Sequence, residues 1–81
     1  MPISDAQLRA FRPRDKAFKI FDGGGLYVEV TPSGGKLWRL KYRFEGKEQR
    51  LALGAYPDVP LKDARSKRDD ARRELAAGRD P

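Results

Sequence analysis

The chain has 81 residues, with 18 lysines and arginines against 12 aspartates and glutamates and a formal charge of +6 at neutral pH. It contains neither cysteine nor histidine, which excludes disulfides, thiolate or imidazole metal sites and histidine-dependent catalytic triads. The length allows one domain, residues 1–81, with a core about as large as one sheet face covered by one helix.

Ser4, Ser33, Ser66 and the three tyrosines form no recognisable pairing of nucleophile and base, so the expectation is a non-catalytic protein without metal or cofactor. No apolar run approaches the roughly 20 residues of a membrane span, and no signal-peptide core follows Met1. A soluble cytoplasmic protein is therefore expected, with no membrane association. The positive balance favours a polyanionic partner, DNA before RNA and RNA before an anionic membrane surface.

In chain order, Ser4-Asp5-Ala6-Gln7 has the spacing of a capping box and predicts a short N-terminal helical turn, which Arg12-Pro13 ends. Lys19-Ile20-Phe21 reads as a short extended piece before the turn Asp22-Gly23-Gly24-Gly25. That glycine run is not a phosphate loop, because it lacks the Lys-Ser/Thr ending and leads into a strand instead of a helix. Leu26–Val30 alternates, with Leu26, Val28 and Val30 inward and Tyr27 and Glu29 outward.

Lys36–Phe44 is the longest strand. It puts Trp38, Leu40, Tyr42 and Phe44 on one face and Leu37, Arg39, Lys41 and Arg43 on the other. Glu45-Gly46 is a two-residue hairpin turn into Lys47–Ala55, which has Leu51 and Leu53 inward. The turn sets Phe44 opposite Lys47, Arg43 opposite Glu48, Lys41 opposite Arg50, Leu40 opposite Leu51, Arg39 opposite Ala52 and Trp38 opposite Leu53. Lys41 facing Arg50 is a like-charge conflict worth tenths of a kcal/mol. Splaying into water resolves it, and so does an arriving phosphate.

After the stiff Tyr56–Pro60 connector, Leu61 to about Ala77 is a helix closing at Gly78. Its inward stripe is Leu61, Ala64, Arg68, Ala71 and Leu75, and Asp69 and Arg73 have the spacing of an exposed ion pair. Arg68 is out of character on that stripe, and its stem is expected across the sheet edge with the charge in water. The fold class is therefore α+β, a three- or four-stranded antiparallel sheet with the C-terminal helix on one face.

The opposite sheet face is cationic, and a narrow ribbon of this kind fits the major groove of duplex DNA. Arg39, Lys41, Arg43 and Arg50 are the candidate central contacts. Lys36 and Lys47 at the strand ends are candidate phosphate contacts, and Tyr27 is a candidate for sugar or a thymine methyl. Arg9, Arg12, Arg14, Lys16 and Lys19 fit a basic arm or an ordinary solvated surface. RNA ranks lower, since no aromatic residue stands among the central cations to stack unpaired bases. The alternative from another class is a protein-interaction module that docks an acidic partner.

The succession DGGGLYVEVTPSGGKLWRLKYRF, LALGAYPDVPL and ARSKRDDARRELAAGRDP resembles the N-terminal arm-type DNA-binding domain of prophage and genomic-island tyrosine recombinases (integrases). The resemblance runs from Ser4 to Pro81 and is most specific at Asp22–Tyr27, Thr31–Arg43 and Leu53–Pro57. It implies an open sheet face that reads arm-type sites in duplex DNA. It also implies core-binding and catalytic domains beyond a linker starting near residues 78–81, with other recombinase subunits and DNA-bending accessory factors as further partners. An isolated domain of this kind is expected to be monomeric, nucleoid-associated and bacterial. The chain departs from the family at Pro60, where a serine or threonine commonly caps the last helix, so that Asp58 is the expected substitute cap. It departs again at Arg68, where a small residue is usual.

Overall fold

The computed structural model describes residues 2–81. The chain runs α1 (Asp5–Ala10), β1 (Phe18–Gly23), β2 (Leu26–Val30), β3 (Lys36–Phe44), β4 (Lys47–Tyr56) and α2 (Leu61–Ala76). The strands form one antiparallel sheet in the order β1-β2-β3-β4, so the sheet is four-stranded and the short piece expected at Lys19–Phe21 is a full strand. Both helices cover the same face. Between them and the sheet lies a core of Ile3, Leu8, Leu26, Val28, Trp38, Leu61 and Ala64, with Phe11, Ile20, Leu53, Tyr56 and Val59 packed around it.

The local signals form as read. Ser4 Oγ accepts from the Gln7 N–H and the Gln7 side chain accepts from the Ser4 N–H, the reciprocal pair of a capping box. Glu45 and Gly46 both have positive φ, 52° and 78°, the combination of the two-residue turn that matches strand twist. Helix α2 ends in paired bonds from Gly78 N to Leu75 O (3.0 Å) and from Arg79 N to Glu74 O (2.9 Å), which satisfy carbonyls left open at a helix end. Its start differs from expectation. Pro60 is the N-cap and no side chain bonds there, so Asp58 does not substitute as a cap.

The hairpin register holds from Phe44–Lys47 to Arg39–Ala52, but Trp38 faces Gly54 and not Leu53. Leu53 is an extra residue, a bulge in β4 whose side chain still packs against the core. Gly54 allows it: φ is +117°, and a Cβ there would lie 2.5 Å from Val59 Cγ2. The close approach brings the Val59 carbonyl onto the indole N–H of Trp38, which donates to it at 2.8 Å. The largest core side chain thus satisfies its polar atom against the connector. Leu51 is only partly buried, so it contributes less to the core than its inward position suggested.

Asp22 is the buried polar residue of the described chain. Its Oδ1 accepts from Ile3 N (2.8 Å) and Arg65 Nη2 (2.8 Å), and its Oδ2 accepts from Arg65 Nε (2.9 Å) and Arg68 Nη1 (3.2 Å). Those bonds, above all the Arg65 pair, hold its carboxyl below the ordinary carboxylate range against the opposing effect of burial. This clasp joins the N-terminal segment, the β1–β2 turn and α2. It also corrects the expectation for Arg68, whose charge is spent on Asp22, the Gly23 carbonyl and Asp69 instead of water. The expected Asp69–Arg73 pair is replaced by Arg68–Asp69 and Arg73–Asp70.

Candidate nucleic-acid interface

The helices leave the other sheet face open, and the register says what it carries. Reading across the strands from β1, one row is Lys19, Glu29, Leu37 and Ala55, and the next is Phe21, Tyr27, Arg39 and Ala52. Beyond these, β3 and β4 alone contribute Lys41 with Arg50 and Arg43 with Glu48. Arg39, Lys41, Arg43 and Arg50 are therefore brought together on this face, with Lys19 at its β1 side. The backbone of Lys41 is fixed from outside its own hairpin, since its N–H donates to Gly25 O at 2.8 Å. Gly25 has φ +89°, and a Cβ there would sit 2.3 Å from the Lys41 carbonyl oxygen. Only glycine lets the β1–β2 turn press against β3.

Lys41 and Arg50 do face each other, yet the conflict is answered within the chain. Lys41 Nζ reaches diagonally to Glu48 Oε1 at 2.8 Å, taking the carboxylate that strand register assigns to Arg43. The Lys41 hydrogen bond, then the charges of Lys41, Arg43 and Arg50, lower the Glu48 pKa. Glu48 is thus an anion embedded among cations, and it partly neutralises the face.

Tyr27 lies on the open side as expected but is not exposed: it is 1% accessible. Phe21 covers it, with ring centroids 5.0 Å apart and planes tilted by 43°, and the Lys19 ammonium lies 5.4 Å from the Tyr27 ring centre. The direct contact expected of Tyr27 is therefore corrected, because a neighbour on β1 occupies the space above its ring. Phe21 itself is half exposed and was not singled out. The alternation Lys19-Ile20-Phe21, with Ile20 packed on the core, carried the signal. An aromatic residue does stand among the central cations, contrary to the ground on which RNA was ranked lower. Lys19, Phe21, Tyr27, Lys41, Glu48 and Arg50 line a shallow depression of about 290 Å³.

Two buried side-chain polar atoms lack a hydrogen-bond partner among the described residues, Tyr27 Oη and Arg39 Nε. Both belong to the Phe21–Tyr27–Arg39 row. Lys36, by contrast, shares the side of Trp38. Its ammonium donates to the Leu8 carbonyl at the end of α1 and lies 5.7 Å from the Tyr56 ring centre, so the structure places it away from the cationic face. Lys47 is exposed at the β3–β4 turn. Tyr42 lies on the helix side, where its hydroxyl donates to Asp80 at 2.6 Å, a bond that raises its pKa. Of the N-terminal cations, Arg14 lies over the Phe18 ring at 4.1 Å.

Comparison with known proteins gives this face its context. Residues 3–81 match the family model of the arm DNA-binding domain. The chain is 48% identical over 83 residues to the integrase of Enterobacteria phage P4, covering 100% of this chain and 19% of the relative. It is 43% identical over 75 residues to the integrase of Shigella phage Sf6 and, equally, to the prophage integrase IntS of Escherichia coli K12, covering 93% of this chain and 20% of each relative. The chain thus spans about a fifth of the length of these relatives. A full-length match to the family model and near-half identity to phage integrases agree with an α+β fold that exposes a cationic sheet, and the chain belongs to the arm DNA-binding domains of integrases.

Proposed function

We propose that this domain binds duplex DNA by laying its open sheet face in the major groove of arm-type sites, as the non-catalytic DNA-holding module of a site-specific recombinase. The observation that carries this is the convergence of Arg39, Lys41, Arg43 and Arg50 in adjacent register positions on the face that the helices leave bare. A sheet of this width suits the major groove, where arginine and lysine reach guanine O6 and N7 while flanking cations hold phosphates. Arg39 sits in the middle of the four-strand row and is the first candidate for a base contact. Lys41, Arg43, Arg50 and the exposed Lys47 at the start of β4 are the candidates for phosphate contact, and Lys36 is left out because of its contacts with α1. Strand exchange, subunit contacts and accessory DNA-bending factors belong on this reading to the rest of a recombinase, acting on nucleoid DNA in the bacterial cytoplasm.

The test is an amide chemical-shift titration of the labelled domain with a short duplex at two salt concentrations, repeated with Arg39→Ala and Lys41→Ala. The reading expects shifts centred on β3 and β4 that fade with salt. It also expects a loss of about 1–3 kcal/mol wherever a base contact is removed, and a salt slope lower by about one unit where a phosphate contact is removed. Shifts confined to α2 or to residues 9–16, or unchanged binding by both variants, would overturn the sheet-face assignment. Binding to an acidic protein partner without a response to DNA would point to the interaction-module alternative.

A further inference from the structure

Phe21 is the exposed large hydrophobic residue of the described chain. A single exposed apolar side chain is ordinary on a protein surface, but three features set this one apart. Its ring rests on the buried ring of Tyr27 at 5.0 Å, so it is held at a defined height above the sheet. It shares a depression with Lys19, Lys41, Arg50 and Glu48, three cations suited to phosphate on either side of a base edge and one carboxylate, which is paired with Lys41. It also stands in the same cross-strand row as Arg39, two strands away, a row in which Arg39 is the one cation beside Phe21, Tyr27 and Ala52.

In the major groove, the apolar feature of a base-pair edge is the thymine C5-methyl. We infer that Phe21, seated on Tyr27, is a specificity-determining residue that packs against a thymine methyl and selects A·T at the base pair it meets. The inference rests on the sheet-face reading above. It transfers to Phe21 the methyl contact that the sequence suggested for Tyr27, and gives Tyr27 the part of a pedestal. The surrounding charge argues for DNA as the occupant: Lys19, Lys41 and Arg50 outnumber Glu48 around Phe21, so the lining is net positive, complements a polyanion and disfavours a purely apolar protein partner.

The test uses two duplexes that differ only in the methyl, alternating dA·dT and alternating dA·dU, with binding measured by fluorescence anisotropy at low salt. Burying one methyl is worth about a fourfold change in affinity. The wild-type domain should prefer the thymine duplex by about that factor. Phe21→Ala should bring the ratio to about one, and Phe21→Leu should keep part of the preference. Thermal unfolding of each variant checks that the fold persists, as the exposure of Phe21 leads one to expect. Lys41→Ala, which removes a candidate phosphate contact, separates the sheet-face reading from the Phe21 inference, because it should weaken binding to both duplexes while leaving the thymine preference in place.

A wild-type ratio of one overturns the inference, and so does an unchanged ratio in Phe21→Ala. Equal weakening of both duplexes by Phe21→Ala also overturns it, since that result indicates contact with sugar. Any of these outcomes combined with weakening by Lys41→Ala leaves the sheet-face reading standing. Full binding of both duplexes by Lys41→Ala overturns the face assignment and the inference with it.

Discussion

Asp22→Asn is the substitution that most directly tests how the open face is held in place, since Asp22 follows Phe21 in β1 and points to the helix side. The carboxylate is 2% exposed and accepts four hydrogen bonds, from Ile3, twice from Arg65, and from Arg68. Asparagine keeps one oxygen acceptor and turns an NH₂ donor toward N–H groups that were themselves donating. Two charge-assisted bonds are lost, each worth about 1.5–3 kcal/mol. The stranded guanidiniums recover part of this, because the Arg65 side chain is 36% exposed and that of Arg68 19% exposed, and both can turn to water. A net loss of about 2–3 kcal/mol remains, below the full cost of breaking a deeply buried pair. For a domain of this size that lowers Tm by roughly 10–20 °C.

Circular dichroism melting at neutral pH reads that drop directly, and acid titration supplies a second signature. Because the folded-state pKa of Asp22 is lowered from 3.8, its stabilisation is fully present above that value and is lost as pH falls through the lower, folded-state value. The wild-type domain should therefore lose stability on acidification below about pH 4, and the variant should lose less over the same interval. A variant that melts with the wild type and keeps its acid slope would refute the clasp.

Two further outcomes follow from the site and the core. Glu48→Gln removes the anion held by Lys41. It should strengthen duplex binding and steepen the salt dependence by about one unit without shifting Tm, and identical salt plots for the two proteins would show that Lys41 does not reach DNA. In urea unfolding, Leu26→Ala should cost about 2–5 kcal/mol, since Leu26 is fully buried, whereas partly exposed Leu51 should lose less than about 1.5 kcal/mol on the same change. Equal losses would contradict the division of the core described above.

The hairpin shows where sequence reasoning works. Alternation in Lys36–Phe44 and the Glu45-Gly46 turn are near-neighbour properties, and together they set six successive cross-strand pairs correctly. The reasoning fails at the next step, Trp38, because the bulge at Leu53 is demanded by Val59 packing on Gly54, which no count along the strand contains. The face was likewise legible as cationic. Its neutralisation by Glu48 was not, since a diagonal reach competes with the directly opposite pair and the winner depends on side-chain geometry.

What the sequence by itself determined is therefore what arises between residues close along the chain or joined by a tight turn. The α1 capping box, the β3–β4 register, the closing of α2 at Gly78 and the sidedness of the sheet are of this kind. The tertiary structure alone decided which side chains on a given side stay in contact with water. Tyr27 and Phe21 alternate identically with their neighbours, yet Tyr27 is buried because β1 pairs beside β2 and lays Phe21 over it. Arg68 looked misplaced on its helix until a carboxylate 46 residues away came within hydrogen-bond reach. Such pairings exist only once the chain has closed on itself, because a buried carboxylate and the guanidiniums that answer it attract strongly only when folding has taken both out of water.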